Sequence, residues 1–231
     1  MSDDWNNYYQ KTTYFPIWLQ KRGYHLVFHF LQGFKIPIRD RLVLEVGCGD
    51  GLFCNHASMR GANVVGVEIS KAALSKANQK SLGNYSACDA HNLPFPSNTF
   101  DVVVSAEVLE HIPAYEEAFS EIVRACRRNG YIIITVPTQT NITALYCVIN
   151  YIMKKVRRYE EQPKDVNKFT PETLKKLSDN HKLQILSMKG IGLIWLPTRN
   201  RKINKILNAM EKPQNRFKGF CMNIGLIAKK Q

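Results

Sequence analysis

The chain has 231 residues, of which 45% are hydrophobic and 22% are charged, and this composition is typical of a folded globular protein with one substantial core. Its six cysteines contain no C-x-x-C pair, so the sequence favours reduced thiols in a cytoplasmic protein over a disulfide framework or a zinc site. The net charge of +13 arises after residue 140, because residues 1–140 hold 13 Lys and Arg against 13 Asp and Glu.

The first 40 residues are predicted to be helical. Ten aromatic side chains lie between residues 5 and 34, and apolar residues recur at helical spacing from Ile17 to Leu31. We therefore expect one or two helices before the first strand. The polar, acidic start predicts no signal peptide, and no apolar run approaches the ~20 residues that a membrane-spanning helix needs.

Residues 41–51 predict a ligand-binding loop at the end of a buried strand. The apolar run Leu42–Val46 is typical of a strand that is buried on both faces, and Gly47, Gly49 and Gly51 follow it. Glycines at this point allow a tight turn and the close approach of a ligand to the backbone. Because helical spacing resumes after Gly51, the strand, loop and helix together predict a nucleotide-type site.

Two acidic residues indicate which ligand this loop binds. The third glycine comes one residue too early for a dinucleotide fingerprint. Glu45 lies inside the end of the first strand, where a carboxylate suits an ammonium group, directly or through water, better than a pyrophosphate. Glu68 ends the second predicted strand, where it can accept both hydroxyls of a ribose. S-adenosylmethionine fits this description, because it has a ribose and an amine but no phosphate.

The motifs E-V-G-C-G-D-G and G-V-E resemble the first two motifs of class I S-adenosylmethionine-dependent methyltransferases. The run C-D-A-x-x-L-P-F-P-x-x-x-F-D-V-V closely resembles the methyltransferase type 11 family. In that family the acidic residue at the Asp89 position accepts from the adenine amino group, and the amide at the Ala90 position meets the ring. The resemblance implies S-adenosylmethionine as the cofactor. The cofactor contacts expected here are Glu45, Gly47, Cys48, Gly49, Gly51, Glu68, Ile69, Asp89, Ala90 and Glu107.

The order of the predicted elements indicates a doubly wound α/β fold in a single domain. The predicted strands are residues 42–46, 63–68, 84–88, 101–106, 128–137, 182–192 and 217–230, and the helices among them include 71–80, 114–128 and 169–180. F-T-P-E-x-L resembles the same family, whose seven-stranded, mostly parallel sheet has the order 3-2-1-4-5-7-6 with the last strand antiparallel. The predicted divisions of the domain are an N-terminal helical lid over the cofactor (1–40), a cofactor-binding core (41–137), an insertion (138–168) and a C-terminal part (169–231).

His111 is the candidate catalytic residue. Methyl transfer from a sulfonium needs alignment rather than a covalent intermediate, but a general base helps when the acceptor is a hydroxyl. His111 follows the fourth strand, and the ordinary pKa of a histidine is close enough to neutral pH for a general base. Alternatively, His111 only bonds the backbone at the start of a helix. Glu107, Glu110 and His111 also form E-x-x-E-H, which resembles a motif of ubiquinone O-methyltransferases and small-RNA 2′-O-methyltransferases that are linked to metal. Three ligands are an incomplete set, so no metal is predicted.

Two segments, residues 142–158 and 194–205, combine apolar side chains with clustered Lys and Arg. This mixture is typical of a segment at a membrane interface, and the first segment resembles an insertion in the ubiquinone-biosynthesis O-methyltransferases. A buried helix of the acceptor pocket and a dimer contact are the alternatives. The sequence leaves these three interpretations open.

The sequence as a whole predicts a cytoplasmic methyltransferase that acts on a small-molecule or lipid-like acceptor, by O-methylation, with peripheral membrane contact as an option. An RNA ribose methyltransferase is an alternative that the basic last third favours. Ser105-Ala106-Glu107-Val108 stands where an [N/D]-P-P-[Y/F] motif would indicate methylation of a nucleobase amine. A methyltransferase-like binding module without turnover is the second alternative.

Overall fold

The structure is a computed structural model that describes residues 2–11, 17–80, 83–138, 165–191, 221 and 223–231. Its strands are β1 (Leu42–Val46), β2 (Asn63–Glu68), β3 (Asn84–Ala87), β4 (Phe100–Ala106), β5 (Cys126–Pro137), β6 (Gln184–Ile191) and β7 (Asn223–Lys229). Its helices are α1 (Ser2–Lys11), α2 (Ile17–Gly33), α3 (Leu52–Ser58), α4 (Lys71–Lys80), α5 (Tyr115–Ala125), α6 (Pro171–Asn180) and a short 3₁₀ helix (Leu109–His111).

The seven strands form one sheet in the order β3-β2-β1-β4-β5-β7-β6, which confirms the predicted topology. β3, β2, β1, β4 and β5 are parallel, whereas β7 is antiparallel to both of its neighbours. The strand order reverses between β1 and β4. Since parallel strands leave a crevice beyond their carboxyl ends at such a reversal, the topology places a ligand site beyond β1 and β4.

Helices cover both faces of the sheet, and the alternation of side chains along each strand explains why. In β1, Leu44 and Val46 are buried in the cluster that contains Phe119 of α5. Val43 points the other way and is buried in the cluster that contains Phe30 of α2. A strand that is covered on both faces needs apolar residues at every position except those with a special role, and this accounts for the near-continuous apolar runs in the sequence.

The predicted boundary between α5 and β5 is wrong. The helix expected over residues 114–128 ends at Ala125, and β5 begins at Cys126 instead of residue 128. Cys126 pairs with Phe100 of β4 before an irregularity shifts the register, so pairing with the neighbouring strand overrides helical continuation. Arg127 therefore leaves the helix, and its Nη2 lies 2.6 Å from Asp101 Oδ1.

α4 and α6 each begin with a side-chain cap, close to the starts that the sequence predicts. Thr170 caps α6 by accepting from the Thr173 amide at 3.2 Å, and the Ala73 amide donates to the Ser70 hydroxyl at 3.2 Å at the start of α4. The predicted segments 142–158 and 194–205, and residues 217–220 of the predicted last strand, lie outside the described residues. Within the ranges that the structure describes, no helix is both long enough and apolar enough to cross a membrane.

Candidate active site

The loop between β1 and α3 depends on its glycines. Gly47, Gly49 and Gly51 have φ angles of 76°, 53° and 79°, which are left-handed values that residues with a Cβ rarely adopt. A Cβ on Gly47 would collide with the side chain of Val108, and one on Gly51 would lie 2.6 Å from the hydroxyl oxygen of Tyr85. The loop therefore brings bare backbone to the carboxyl edge of the sheet, as the sequence predicts.

Glu68 fixes this loop from the neighbouring strand. Its Oε2 accepts from the Gly49 amide at 3.0 Å, and its Oε1 accepts from the Ser70 amide at 2.9 Å. Burial raises the pKa of Glu68, an effect that the backbone amides oppose. An ionised carboxylate can accept several hydrogen bonds, so Glu68 is also a suitable acceptor for ribose hydroxyls.

A cleft opens beyond the carboxyl ends of β1, β2, β3 and β4, at the point where the strand order reverses. It is lined by Trp5, Val46, Gly47, Val67, Glu68, Ile69, Cys88, Asp89, Ala90, Glu107, Val108, His111 and Ile112. Seven predicted site residues are in this lining, namely Gly47, Glu68, Ile69, Asp89, Ala90, Glu107 and His111. The other four, Glu45, Cys48, Gly49 and Gly51, are not part of it.

Glu45 lies beneath the loop instead of facing the cleft. Its side chain is fully buried, and its Oε2 accepts from the Cys54 thiol at 2.9 Å. Burial raises the pKa of Glu45 to about 8, so the side chain is mostly uncharged at neutral pH. Cys48 is buried beside it. Glu45 is bonded to α3 in this structure, and its contact with a ligand ammonium group stays a prediction.

Asp89 follows β3 and lines the cleft. Its Oδ1 accepts from the His91 amide at 3.0 Å and lies 2.7 Å from Nδ1 of the His91 ring. Partial burial raises the pKa of Asp89, but the hydrogen bonds from His91 lower it by more, and the net shift is downward. An ionised carboxylate at this position suits an amino-group donor such as that of adenine.

Glu107 is held in place by residues that are distant in sequence. It has a left-handed φ of 59°, and its carboxylate accepts from the Thr135 hydroxyl at 2.9 Å and the Asn223 side-chain amide at 2.5 Å. Gly23 of α2 approaches so closely that a Cβ there would lie 3.0 Å from the Glu107 carboxylate. The sequence did not identify Thr135 or Asn223, because no local pattern marks the residues of β5 and β7 that meet the end of β4.

The 3₁₀ helix carries a second cluster at the same end of the cleft. His111 Nδ1 lies 3.4 Å from Asp165 Oδ1, and His111 Nε2 lies 3.6 Å from Glu110 Oε1. The edge of the Trp5 ring contacts His111, with 4.9 Å between the ring centres. Burial, followed by the nearby charge of Glu107, raises the pKa of Glu110 well above its ordinary value.

The residues that could share a cation differ from those that the E-x-x-E-H motif suggests. One ligand atom each from Glu110, His111 and Asp165 lies within 4.8 Å of the others, so Asp165 takes the place that the sequence gave to Glu107. The reason is that the Glu107 carboxylate is turned toward Thr135 and Asn223. A cation at this cluster would require Glu110 to lose the proton that burial favours.

The groups around the cleft fit S-adenosylmethionine. Glu68 and Asp89 lie on neighbouring strand ends, where they can accept from a ribose and an adenine amino group respectively. Glu107 adds a carboxylate at the far end, and opposite charges attract a sulfonium there. The glycine loop supplies a backbone surface without side chains between these groups.

Comparison with known proteins also identifies the chain as a methyltransferase. Residues 44–134 match a family described as "Methyltransferase domain". A ubiquinone biosynthesis O-methyltransferase of Pseudomonas putida is 30% identical over 185 residues, which cover 74% of this chain and 75% of that protein.

Solved structures share the fold. A putative methyltransferase of Haloferax volcanii, in complex with the Trm112 activator, has a TM-score of 0.68 at 13% identity and covers 97% of this chain and 96% of that one. A second neighbour is the magnesium protoporphyrin IX methyltransferase of Synechocystis PCC 6803, which was solved with bound SAH. Its TM-score is 0.65 at 16% identity, and the match covers 99% of this chain and 94% of that one. The glycine loop, the carboxylates at the strand ends and these matches place the chain in the type 11 family of class I S-adenosylmethionine-dependent methyltransferases.

Proposed function

We propose that this methyltransferase methylates a hydroxyl oxygen of a small-molecule or lipid-like acceptor. The observation that carries the proposal is the position of His111, a potential general base, in the same cleft as Glu68 and Asp89. The Pseudomonas putida relative is named as an O-methyltransferase, which also supports oxygen as the methylated atom.

The residues divide into those that hold the cofactor and those that act at the acceptor. When bound, S-adenosylmethionine supplies a methyl group on a positively charged sulfur. Glu68 and Asp89 would hold the ribose and the adenine, so that the sulfonium points toward Glu107 and His111. His111 would then accept the proton of the acceptor hydroxyl as the oxygen attacks the methyl carbon in line with the sulfur, and the methyl–sulfur bond would break to leave S-adenosylhomocysteine.

We propose that α1 covers the cleft as a lid. The Asn6 side-chain oxygen accepts from the Ser70 hydroxyl at 3.0 Å and from the Ala72 amide at 3.2 Å, which docks α1 on the start of α4. Tyr8 is only 5% exposed and packs with Ala73. This docking brings Trp5 to the wall of the cleft, where it would exclude water from the acceptor end.

Calorimetric titration with S-adenosylhomocysteine is the first test. We expect micromolar binding by the original protein, no measurable binding by Glu68→Ala, and unchanged binding by the control Asp179→Ala. Asp179 is an exposed carboxylate in an ion pair with Lys175 on α6. No binding by the original protein, or undiminished binding by Glu68→Ala, would contradict the site assignment.

Methyl transfer is tested with labelled S-adenosylmethionine and three acceptor classes: hydroxylated aromatic compounds, hydroxylated lipids and short RNA with a free 3′ end. We expect labelled product in the first or second class. His111→Ala should lower turnover strongly while leaving S-adenosylhomocysteine affinity unchanged. Labelled RNA alone would replace our proposal with the ribose methyltransferase alternative.

We also propose peripheral membrane contact through residues 142–158 and 194–205, as the sequence suggests. The support is the mixture of apolar and cationic residues in these segments. Anionic liposomes should co-sediment the protein, and changing Lys154, Lys155, Arg157 and Arg158 to Gln should weaken this binding. Equal recovery of the original protein with and without liposomes would end this proposal.

A further inference from the structure

The turn after β3 fixes the backbone of Asp89 at the edge of the cleft. Pairing with β2 continues as far as Cys88, whose amide donates to the Glu68 carbonyl at 3.0 Å. The Asn92 amide donates to the Asp89 carbonyl at 3.1 Å and closes a turn of four residues. With the backbone held in this way, rotation of the Asp89 side chain decides where its carboxylate lies.

His91 holds this side chain through a single oxygen. The His91 amide and the Nδ1 atom of its ring lie 3.0 Å and 2.7 Å from Asp89 Oδ1. Within the described part of the chain, no hydrogen bond reaches the other oxygen, Oδ2. An Asp that accepts from the amide two residues later is common in turns, but here the ring adds a second constraint on the same oxygen. Oδ2 is therefore the oxygen that is available to a ligand.

The ring of His91 is the donor in its contact with Asp89. The other ring nitrogen, Nε2, is buried and has no hydrogen-bond partner among the described residues, so a proton there would be an unsatisfied N–H. Although partial burial raises the pKa of Asp89, the hydrogen bonds from His91 lower it by more. The carboxylate is therefore ionised and can only accept. Both observations place the ring proton on Nδ1, between the ring and Asp89 Oδ1.

The two side chains differ in their relation to the cleft. Asp89 lines it, and the Asp89 side chain is 50% exposed, whereas His91 is not in the lining. A half-exposed side chain without a fixed partner is free to rotate among its staggered positions. The bond from the His91 ring restricts this rotation from behind, so His91 can affect a ligand only through Asp89.

We infer that His91 is a positioning residue that holds Asp89 so that Oδ2 accepts from the amino group of adenine, and that His91 thereby sets the preference of the site for this base. The inference rests on the proposed function, in which Asp89 holds the adenine. It extends that function because His91 stands at a position that the C-D-A-x-x-L motif leaves open.

Calorimetric titration with two ligands tests the inference without a known acceptor. The first ligand is S-adenosylhomocysteine, and the second is S-inosylhomocysteine, which has an oxygen in place of the adenine amino group. This oxygen cannot donate to Asp89. We expect the original protein to bind S-adenosylhomocysteine at least about tenfold more tightly than S-inosylhomocysteine, because a hydrogen bond to an ionised group is lost in the second complex.

Two substitutions of similar shape separate hydrogen bonding from packing. His91→Asn keeps a side-chain N–H near the position of Nδ1 and should keep the preference for adenine. His91→Leu cannot donate, so its affinity for S-adenosylhomocysteine should fall about tenfold while its affinity for S-inosylhomocysteine stays unchanged. His25→Leu, which replaces an exposed histidine of α2, is the matched control and should behave as the original protein. If His91→Leu does not fold, His91→Ala replaces it.

A preference for adenine that survives in the folded variant without a donor would overturn the inference. An equal loss of preference in His91→Asn and His91→Leu would also overturn it, because the ring would then act through its packing. In an Asp89→Ala background, His91→Leu should cause no further loss of affinity, since His91 acts through Asp89. A full additional loss in that background would contradict this route.

The same titrations distinguish failure of the inference from failure of the proposed function. If the original protein binds neither ligand, the proposed function fails, and the inference fails with it. If Asp89→Ala keeps the preference for adenine, the assignment of Asp89 to the adenine is wrong. If Asp89→Ala loses the preference but His91→Leu keeps it, the assignment of Asp89 stands and only the inference fails.

Discussion

Replacing Glu45 by Gln should remove a pH-dependent part of the protein's stability. Glu45 is fully buried, and its pKa is raised from 4.5 to about 8 in the folded protein. Between these two pH values the folded state holds a proton that the unfolded state has released. The stabilising contribution is therefore complete below pH 4.5 and is lost as the pH rises through about 8. Each pH unit across this window corresponds to about 1.4 kcal/mol.

The total effect across the window is roughly 4–5 kcal/mol, a large share of the stability of a typical domain. Gln is close in size to protonated Glu and keeps an oxygen that can accept from the Cys54 thiol, so Glu45→Gln should fold. Because Gln cannot ionise, the variant should gain stability relative to the original protein as the pH rises. At high pH it should be the more stable of the two by a few kcal/mol.

Urea unfolding at a series of values between about pH 5 and pH 8 measures this difference. The control is Glu172→Gln, which removes an exposed carboxylate in the first turn of α6 and should change the pH dependence little in this range. If the free energies of unfolding of the original protein and of Glu45→Gln stay parallel across the range, Glu45 is not held in its neutral form. The raised pKa of the buried Glu45 carboxyl would then be refuted.

Three further predictions concern the cleft and its cover. Gly47→Ala should abolish S-adenosylhomocysteine binding in calorimetry, because the φ angle of Gly47 is 76° and a Cβ there would collide with Val108. Gly33→Ala is the matched control and should bind normally, because a Cβ on Gly33 would meet nothing within 4 Å. The affinity of the original protein for S-adenosylhomocysteine should fall on acidification, because the ionised form of Glu68 accepts the ribose hydroxyls. This fall should begin at a pH above 4.5, the ordinary pKa of a Glu side chain, because the pKa of Glu68 is raised. A pH-independent affinity would contradict this role of Glu68. Asn6→Ala should speed hydrogen exchange in α1 by about fivefold or more without changing exchange in α6, because two hydrogen bonds to α4 are lost; equal exchange in both proteins would show that Asn6 does not dock the helix.

The sequence predicted the glycine turn after β1 and two helix caps. The turn after β1 needs positive φ angles, and the alternating glycines reveal this requirement without any tertiary information. The helix starts at Ser70 and Thr170 were also predictable, because a cap is a contact between residues three positions apart. The sheet order came from the family resemblance, and the structure confirms it.

Other predictions depended on contacts that a local pattern does not contain. The sequence places Glu45 two residues before the loop but does not say which face of β1 meets the cleft. The structure turns its side chain toward Cys54 of α3 and buries it. The end of α5 was misjudged for a similar reason, since pairing of Cys126 with Phe100 starts β5 earlier than the helical pattern suggested.

The sequence by itself indicated the α/β fold class and the glycine turn after β1, and its family resemblance indicated the cofactor, because each of these signals lies within a short run of residues. Only the tertiary structure brought Thr135 and Asn223 to Glu107, and Trp5 and Asp165 to His111. These contacts join residues up to 116 positions apart. They arise because the sheet order places distant strand ends side by side, and a linear pattern carries no record of that proximity.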